Sequence, residues 1–153
     1  MYTVVLALHS TIRWIVLVAA LCATATAFGG WLGRLSLARP LGVSGAVLVA
    51  AADLQVLLGL ALYFFLSPFS RAALSHPGAA MAEPGLRYWF LEHPLPALAA
   101  VALAHVGRVL SRRAPDDATR MRRAALAYGA ALLLFAAAVP WPPLPFGRPL
   151  WPF

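Results

Sequence analysis

The sequence predicts an all-α membrane protein, an up-down bundle of four transmembrane helices in a single domain, residues 1–153. Three observations carry that expectation. Of 153 residues, 62% are hydrophobic and 11% are charged, and mean hydropathy is +0.80; a chain this short cannot enclose so much apolar surface in one soluble core. Four charge-poor segments reach the length of about 20 residues that crosses a roughly 30 Å hydrocarbon layer as helix. Between them lie the arginines, prolines and acidic residues expected of connections.

The spans are expected near Trp14 to Leu32, Val43 to Leu66, Pro94 to Leu110 and Ala124 to Trp141, each with room for a further turn or two. The first lacks a basic leader and carries Arg13 where a cleavable signal would be apolar, so it is expected to remain as a span. Ala19, Ala20, Ala23, Ala27 and Gly30 in the first span, and Ala97, Ala100, Ala104 and Gly107 in the third, recur at helical small-residue spacings. In lipid such faces let helix backbones approach and gain dispersion contacts. The first and third spans run parallel in an up-down bundle and are expected to face each other across its interior.

Two of the three connections are short. The exception is 67–87 (SPFSRAALSHPGAAMAEPGLR), an outer loop with a short helix expected around Arg71 to Leu74; loops of this length commonly cap a site or meet a partner. The tail 139–153 (VPWPPLPFGRPLWPF) cannot continue as helix and is expected to lie extended on the outer surface, with Trp151 and Phe153 at the interface or packed on neighbouring protein.

The chain contains no lysine, so orientation rests on its arginines. Arg34, Arg39, Arg108, Arg112, Arg113, Arg120, Arg122 and Arg123 flank the first and third connections, against Arg13, Arg71, Arg87 and Arg148 on the other side. The arginine-rich side is expected in the cytoplasm, which puts both termini in the periplasm if the membrane is a bacterial inner membrane. Asp116 and Asp117 temper the inner cluster at the turn marked by Pro115. Trp14, Trp89 and Trp141 then mark the outer interface and Trp31 the inner one. The net charge of +7 is accounted for by arginine beside anionic lipid and calls for no nucleic acid.

Ionisable groups inside a bilayer are expensive and usually functional, which singles out His9 and His93. Each precedes an apolar run, and the two fall at one membrane depth. His9 and Arg13 share a helical face if the helix extends outward past Trp14; Glu92 adjoins His93, and Arg87 lies five residues earlier. Two depth-matched imidazoles on different helices with arginine nearby suit axial ligation of one haem b, whose propionates need cationic partners. Plainer readings compete: both histidines as interfacial residues bonding headgroups and carbonyls, with Arg13 as a snorkelling anchor paired with Glu92, or a porphyrin-free metal held by His9, His93 and Glu92.

Deeper, Asp53 and His105 form a second polar site about 12 Å inward of the cytoplasmic helix ends. In hydrocarbon the two cost less together than apart, with bonds from Gln55 assisting. They read either as an interhelical clasp or as part of a proton path or quinone headgroup contact. A second haem is not expected, since the helix facing His93 and His105 offers only His9. Cys22 is the single cysteine, so there is no internal disulfide and no C-x-x-C-H for covalent haem attachment. His76, beside Pro77, is expected to face solvent.

The strings HSTIRW (9–14), DLQVLLGLALYFFLSP (53–68), EHPLPALAAVALAHVGR (92–108) and VPWPPLPFGRP (139–149) resemble a family of small bacterial four-helix membrane proteins commonly labelled cytochrome b. The likeness covers most of the chain. It implies a polar signature of His9, Arg13, Glu92, His93 and His105, and departs from the family at Pro94 and Pro96, which are expected to kink the helix beside His93. The leading expectation is a haem-b electron-transfer protein or a small subunit of a respiratory or photosynthetic complex, without independent catalysis, passing electrons to a quinone or an external carrier. The alternative is a haem-free accessory subunit that docks onto a larger membrane complex through its loop and tail.

Overall fold

The computed structural model describes residues 1–33, 37–144 and 146–151; Arg34 and Phe153, which entered the charge and tail arguments, lie outside the described residues. Helix α1 (Tyr2–Gly33) leads to α2 (Ala38–Ala61), which widens into a π-turn at Leu62–Leu66. Three short helices follow, α3 (Pro68–Ser75), α4 (Pro77–Ala82) and α5 (Pro84–Arg87). Helix α5 continues through a second π-turn, Tyr88–Glu92, into α6 (Pro94–Arg112), and α7 (Asp117–Ala138) closes the bundle. Four continuous stretches, Tyr2–Gly33, Ala38–Leu66, Pro84–Arg112 and Asp117–Ala138, are long and apolar enough to cross a membrane. The chain is thus an all-α, multi-pass membrane bundle.

Each helix end has a local cause. Residues 2–13 contain neither glycine nor proline, so helix propagates outward past Trp14. The first span therefore starts at Tyr2, and His9 lies two turns inside it rather than at its mouth. The third span starts at Pro84 rather than Pro94. Pro84 suits the first helical position because it has no N–H to leave unpaired, and the Glu83 carboxylate accepts from the amides of Gly85 and Leu86. The fourth span stops at Ala138, short of Trp141, because Pro140, Pro142 and Pro143 cannot continue it. At its other end the Asp116 carboxylate accepts from the Thr119 amide at 2.7 Å and from the Thr119 hydroxyl at 2.9 Å. These bonds hold the Asp116 carboxyl below its ordinary range.

Around the bundle, α1 packs against α2 and α7, and α6 packs against α7 and α2, which leaves α1 and α6 on a diagonal. Small residues make the interior. Ala19, Ala20, Ala23, Ala27 and Gly30 of α1 are buried, as are Ala100, Ala104 and Gly107 of α6. They meet Leu41, Leu48 and Ala52 of α2 and Met121, Tyr128, Ala131 and Phe135 of α7. Tyr128 is the largest side chain enclosed this way. It fits because Gly45 and Gly107 flank it: a Cβ at either would come within 2.5 Å and 3.0 Å of its ring and hydroxyl atoms.

The segment 67–87 is a folded cap, not a loop. Each of its three helices opens on proline, and Ser67 caps α3 by accepting from the Ser70 amide. The short helix expected at Arg71 to Leu74 lies within α3, and His76 is exposed. The tail differs from the extended surface strand expected of it. It turns back over the end of the bundle that holds Tyr2 and Ala138, with the Arg148 amide donating to the Pro140 carbonyl at 3.0 Å. Phe146 stacks on Tyr88 at 3.7 Å, and Trp151 stacks on Trp14 at 5.7 Å.

Candidate cofactor site in the terminus-bearing half of the bundle

Proline placement builds this end of the bundle. Pro94 removes the N–H that would bond the Phe90 carbonyl, and its ring displaces that carbonyl from the helix axis. The chain responds with a π-turn, in which the His93 amide reaches the Tyr88 carbonyl at 2.9 Å. The freed Phe90 carbonyl accepts from the Tyr63 hydroxyl of the second span at 3.0 Å. Both π-turns border one cavity, a placement common at functional sites.

A second proline effect orients His93. The Ala138 carbonyl has no helical partner because Val139, ahead of Pro140, turns extended and the chain leaves the helix there. In an apolar environment an unpaired carbonyl is costly, and two side chains from the third span take it: Tyr88 donates from its hydroxyl at 2.9 Å and His93 from Nδ1 at 2.7 Å. A carbonyl only accepts, so Nδ1 carries the ring proton and Nε2 presents a lone pair. Histidines that ligate metals are held in this way by a carbonyl or carboxylate behind them.

His9 approaches from the diagonal helix, with its ring centroid 6.2 Å from that of His93 and the rings at 70°. The side-chain amide of Gln55 lies 3.2 Å from His9 Nε2. With the amide donating, Nε2 of His9 also holds a lone pair and Nδ1 carries the proton. Gly59, one turn beyond Gln55, provides the room, since a Cβ there would lie 3.3 Å from His9 Cε1. Arg13, one turn inward of His9, donates to the Leu150 carbonyl of the tail at 2.8 Å, joined by Trp14 Nε1 at 3.0 Å. Arg148 reaches the site from the tail, its guanidinium 4.5 Å from the Trp89 ring centre.

These groups line a cavity of about 360 Å³, within the size range of small-molecule and cofactor sites. Its walls are mostly apolar, and its polar lining includes His9, His93, Gln55, Arg13 and Arg148. Among the described residues two arginines line it and no acidic residue does, so a bound ligand has cationic partners there. Among the described residues, four buried side-chain polar atoms lack a hydrogen-bond partner, and three belong to this cavity: His9 Nδ1, Arg13 Nε and Gln55 Oε1. The cavity residues that are exposed, Leu60, Phe64, Leu91, Leu95 and Leu98, all come from the second and third spans. The mouth therefore opens sideways, through the α2–α6 seam.

Several sequence expectations are redistributed. Gln55 serves His9, not the Asp53–His105 pair: residues two apart on a helix point to nearly opposite faces. Glu92 does not pair with Arg13. It bonds Arg87 at 2.6 Å across the π-turn and lies outside the cavity. A three-ligand metal site of His9, His93 and Glu92 is accordingly not formed, and among the described residues no three of His, Cys, Asp and Glu converge on one point. His105 Nε2 and Asp53 Oδ1 meet at 2.8 Å, well exposed on the bundle surface. Arg148, Tyr63, Gly59 and the carbonyls of Ala138 and Leu150 were not anticipated as site components. The proline run after Ala138 was the available signal, since it strips amide partners from the preceding carbonyls.

The fold and site define a small membrane bundle with a laterally open, cation-lined cavity between two histidines. Comparison with protein-family models, with curated proteins and with solved structures finds no match for the chain.

The residues present fit a haem b. His9 and His93 line one cavity from diagonal helices. Arg13 and Arg148 match two propionates, and apolar walls match a macrocycle. One condition attaches: Gln55 must release His9 Nε2 for that nitrogen to ligate.

Proposed function

We propose that the chain is a membrane electron-transfer protein of b-type cytochrome character, in which His9 and His93 would hold the iron of one haem b. The observation that carries this reading is the pairing of two imidazoles with two arginines and, among the described residues, no acid, in one apolar cavity. When bound, the haem supplies a one-electron iron couple. The protein's own part is to aim His93 through the Ala138 carbonyl, to engage carboxylates through Arg13 and Arg148, and to exclude water with the folded tail and the 67–87 cap. The resemblance noted in the sequence points the same way, as does the arginine distribution, which supports a bacterial inner-membrane location with both termini in the periplasm. Electrons would pass to a quinone or to another subunit of a membrane complex.

Pyridine haemochrome assay and metal analysis of the purified protein test the proposal. One b-type haem and one iron per chain are expected. Protein that folds and inserts without porphyrin or iron overturns the reading, and leaves the haem-free accessory subunit in its place.

A further inference from the structure

Asp53 and His105 occupy a position that four apolar spans do not explain. Asp53 lies near the middle of the Ala38–Leu66 span, and His105 lies two turns inside the end of α6. Their bond crosses the α2–α6 seam on its outer side, where the side chains are 49% and 48% exposed. Neighbours on the same faces, such as Leu57, Leu98 and Val106, are also exposed. Lipid covers those leucines and valines as well as any protein would, so they need no partner. The pair does, because polar groups facing hydrocarbon without partners are expensive.

What the pair still offers specifies the partner. His105 Nε2 and Asp53 Oδ1 are committed to each other, which leaves His105 Nδ1 and Asp53 Oδ2. In either net-neutral form of the pair, imidazolium with carboxylate or imidazole with carboxylic acid, Nδ1 carries a proton to donate and Oδ2 accepts. The remainder is one donor and one acceptor on two paired, half-exposed side chains. Two copies inserted in the same orientation are related by a rotation about the membrane normal, which keeps every group at its depth. A second copy therefore brings the same acceptor and donor to the same level, and a two-fold axis sets Nδ1 of each copy against Oδ2 of the other. A different protein would need a matching polar pair at this depth.

We propose that the α2–α6 face is a homodimer interface in the membrane, with Asp53 and His105 of each copy exchanging hydrogen bonds with His105 and Asp53 of the other. This interface does not depend on the nature of the cavity's ligand. Interhelical hydrogen bonds in lipid contribute enough to drive such association when small and apolar side chains surround them.

Native mass spectrometry of the full chain released from lipid nanodiscs tests the interface. A particle of twice the 16.3 kDa chain mass is expected. A monomer, or association with a different protein only, overturns the proposal. The double substitution Asp53→Leu, His105→Leu should lower the association constant by on the order of tenfold or more while leaving any cofactor spectrum unchanged; an undiminished dimer also overturns it. A third arm does not rely on that variant folding. In a Cys22→Ala background, Ala102→Cys, one turn from His105, should form a disulfide between copies on oxidation in membranes, whereas Val18→Cys on the exposed side of α1 should not. Absence of the Ala102→Cys cross-link, or equal cross-linking at both positions, contradicts the proposed face.

Discussion

His93 donates from Nδ1 to the carbonyl of Ala138 at 2.7 Å, and that carbonyl is free because α7 ends there, with Val139 turning extended ahead of Pro140. A proline after the last span thus sets the tautomer of a histidine in the third. Replacing both Pro140 and Pro142 by Ala lets α7 run on and supplies a backbone N–H that competes for the carbonyl. The Pro140→Ala, Pro142→Ala protein should bind haem about 10- to 100-fold more weakly, the usual cost of losing a partner behind a ligating histidine, as read by haem titration in detergent.

Gly59→Ala separates fold stability from site function. Alanine in a helix interior is about 1 kcal/mol more favourable than glycine, yet the new methyl would lie 3.3 Å from His9 Cε1 and must push the ring. Thermal stability of the cofactor-free protein should stay level or rise, while haem affinity falls. A fall in both, or in neither, would contradict the role given to Gly59.

Tyr63→Phe leaves the Phe90 carbonyl without the hydroxyl that satisfies it. The expected loss is about 1–3 kcal/mol, the cost of an unsatisfied buried acceptor. Pro94→Ala supplies the missing amide, so the double variant should recover part of that loss. Strict additivity in the four-protein cycle would show that Tyr63 and Pro94 are not coupled through this carbonyl.

At the start of α7, the Thr119 bonds that hold the Asp116 carboxyl low stabilise the helix end fully above the ordinary carboxyl range, near 3.9. The stabilisation disappears as pH falls through the lower folded value. Hydrogen-exchange protection at Ala118 to Arg120, relative to the intrinsic rate at each pH, should fall only in strong acid, and Asp116→Ala should show low protection there at neutral pH.

Arg13→Ala should lower the haem midpoint potential, because removing a positive charge disfavours the electron-rich state. The expected shift is on the order of 1 kcal/mol, roughly 40 mV for one electron, in a redox titration. The Leu150 carbonyl loses its Arg13 donor in the same variant, so proteolysis of the tail should quicken.

The four spans were legible because apolar length is a local property. So was the equal depth of His9 and His93, which follows from residue counting along two helices. Helix starts were less legible, since Trp14 and Pro94 begin the apolar runs while the backbone is already helical from Tyr2 and Pro84. The link between Arg87 and Glu92 was hidden by a π-turn, which brings residues five apart onto one face. The role of Gln55 was recoverable in principle, because it shares a face with Gly59 and not with Asp53. Nothing local announced that Arg13 would meet Leu150 across the length of the chain, or that Arg148 would enter the cavity. Those contacts depend on how the tail folds back, a matter of tertiary packing alone.

The most direct measurement is the reduced-minus-oxidised visible spectrum of the wild type and four single variants in membranes. His9→Ala and His93→Ala should each abolish the low-spin b-haem bands, while His76→Ala and His105→Ala retain them. Spectra unchanged in folded His9→Ala and His93→Ala proteins, or no haem bands in the wild type, would contradict the assignment of the cavity between these two residues.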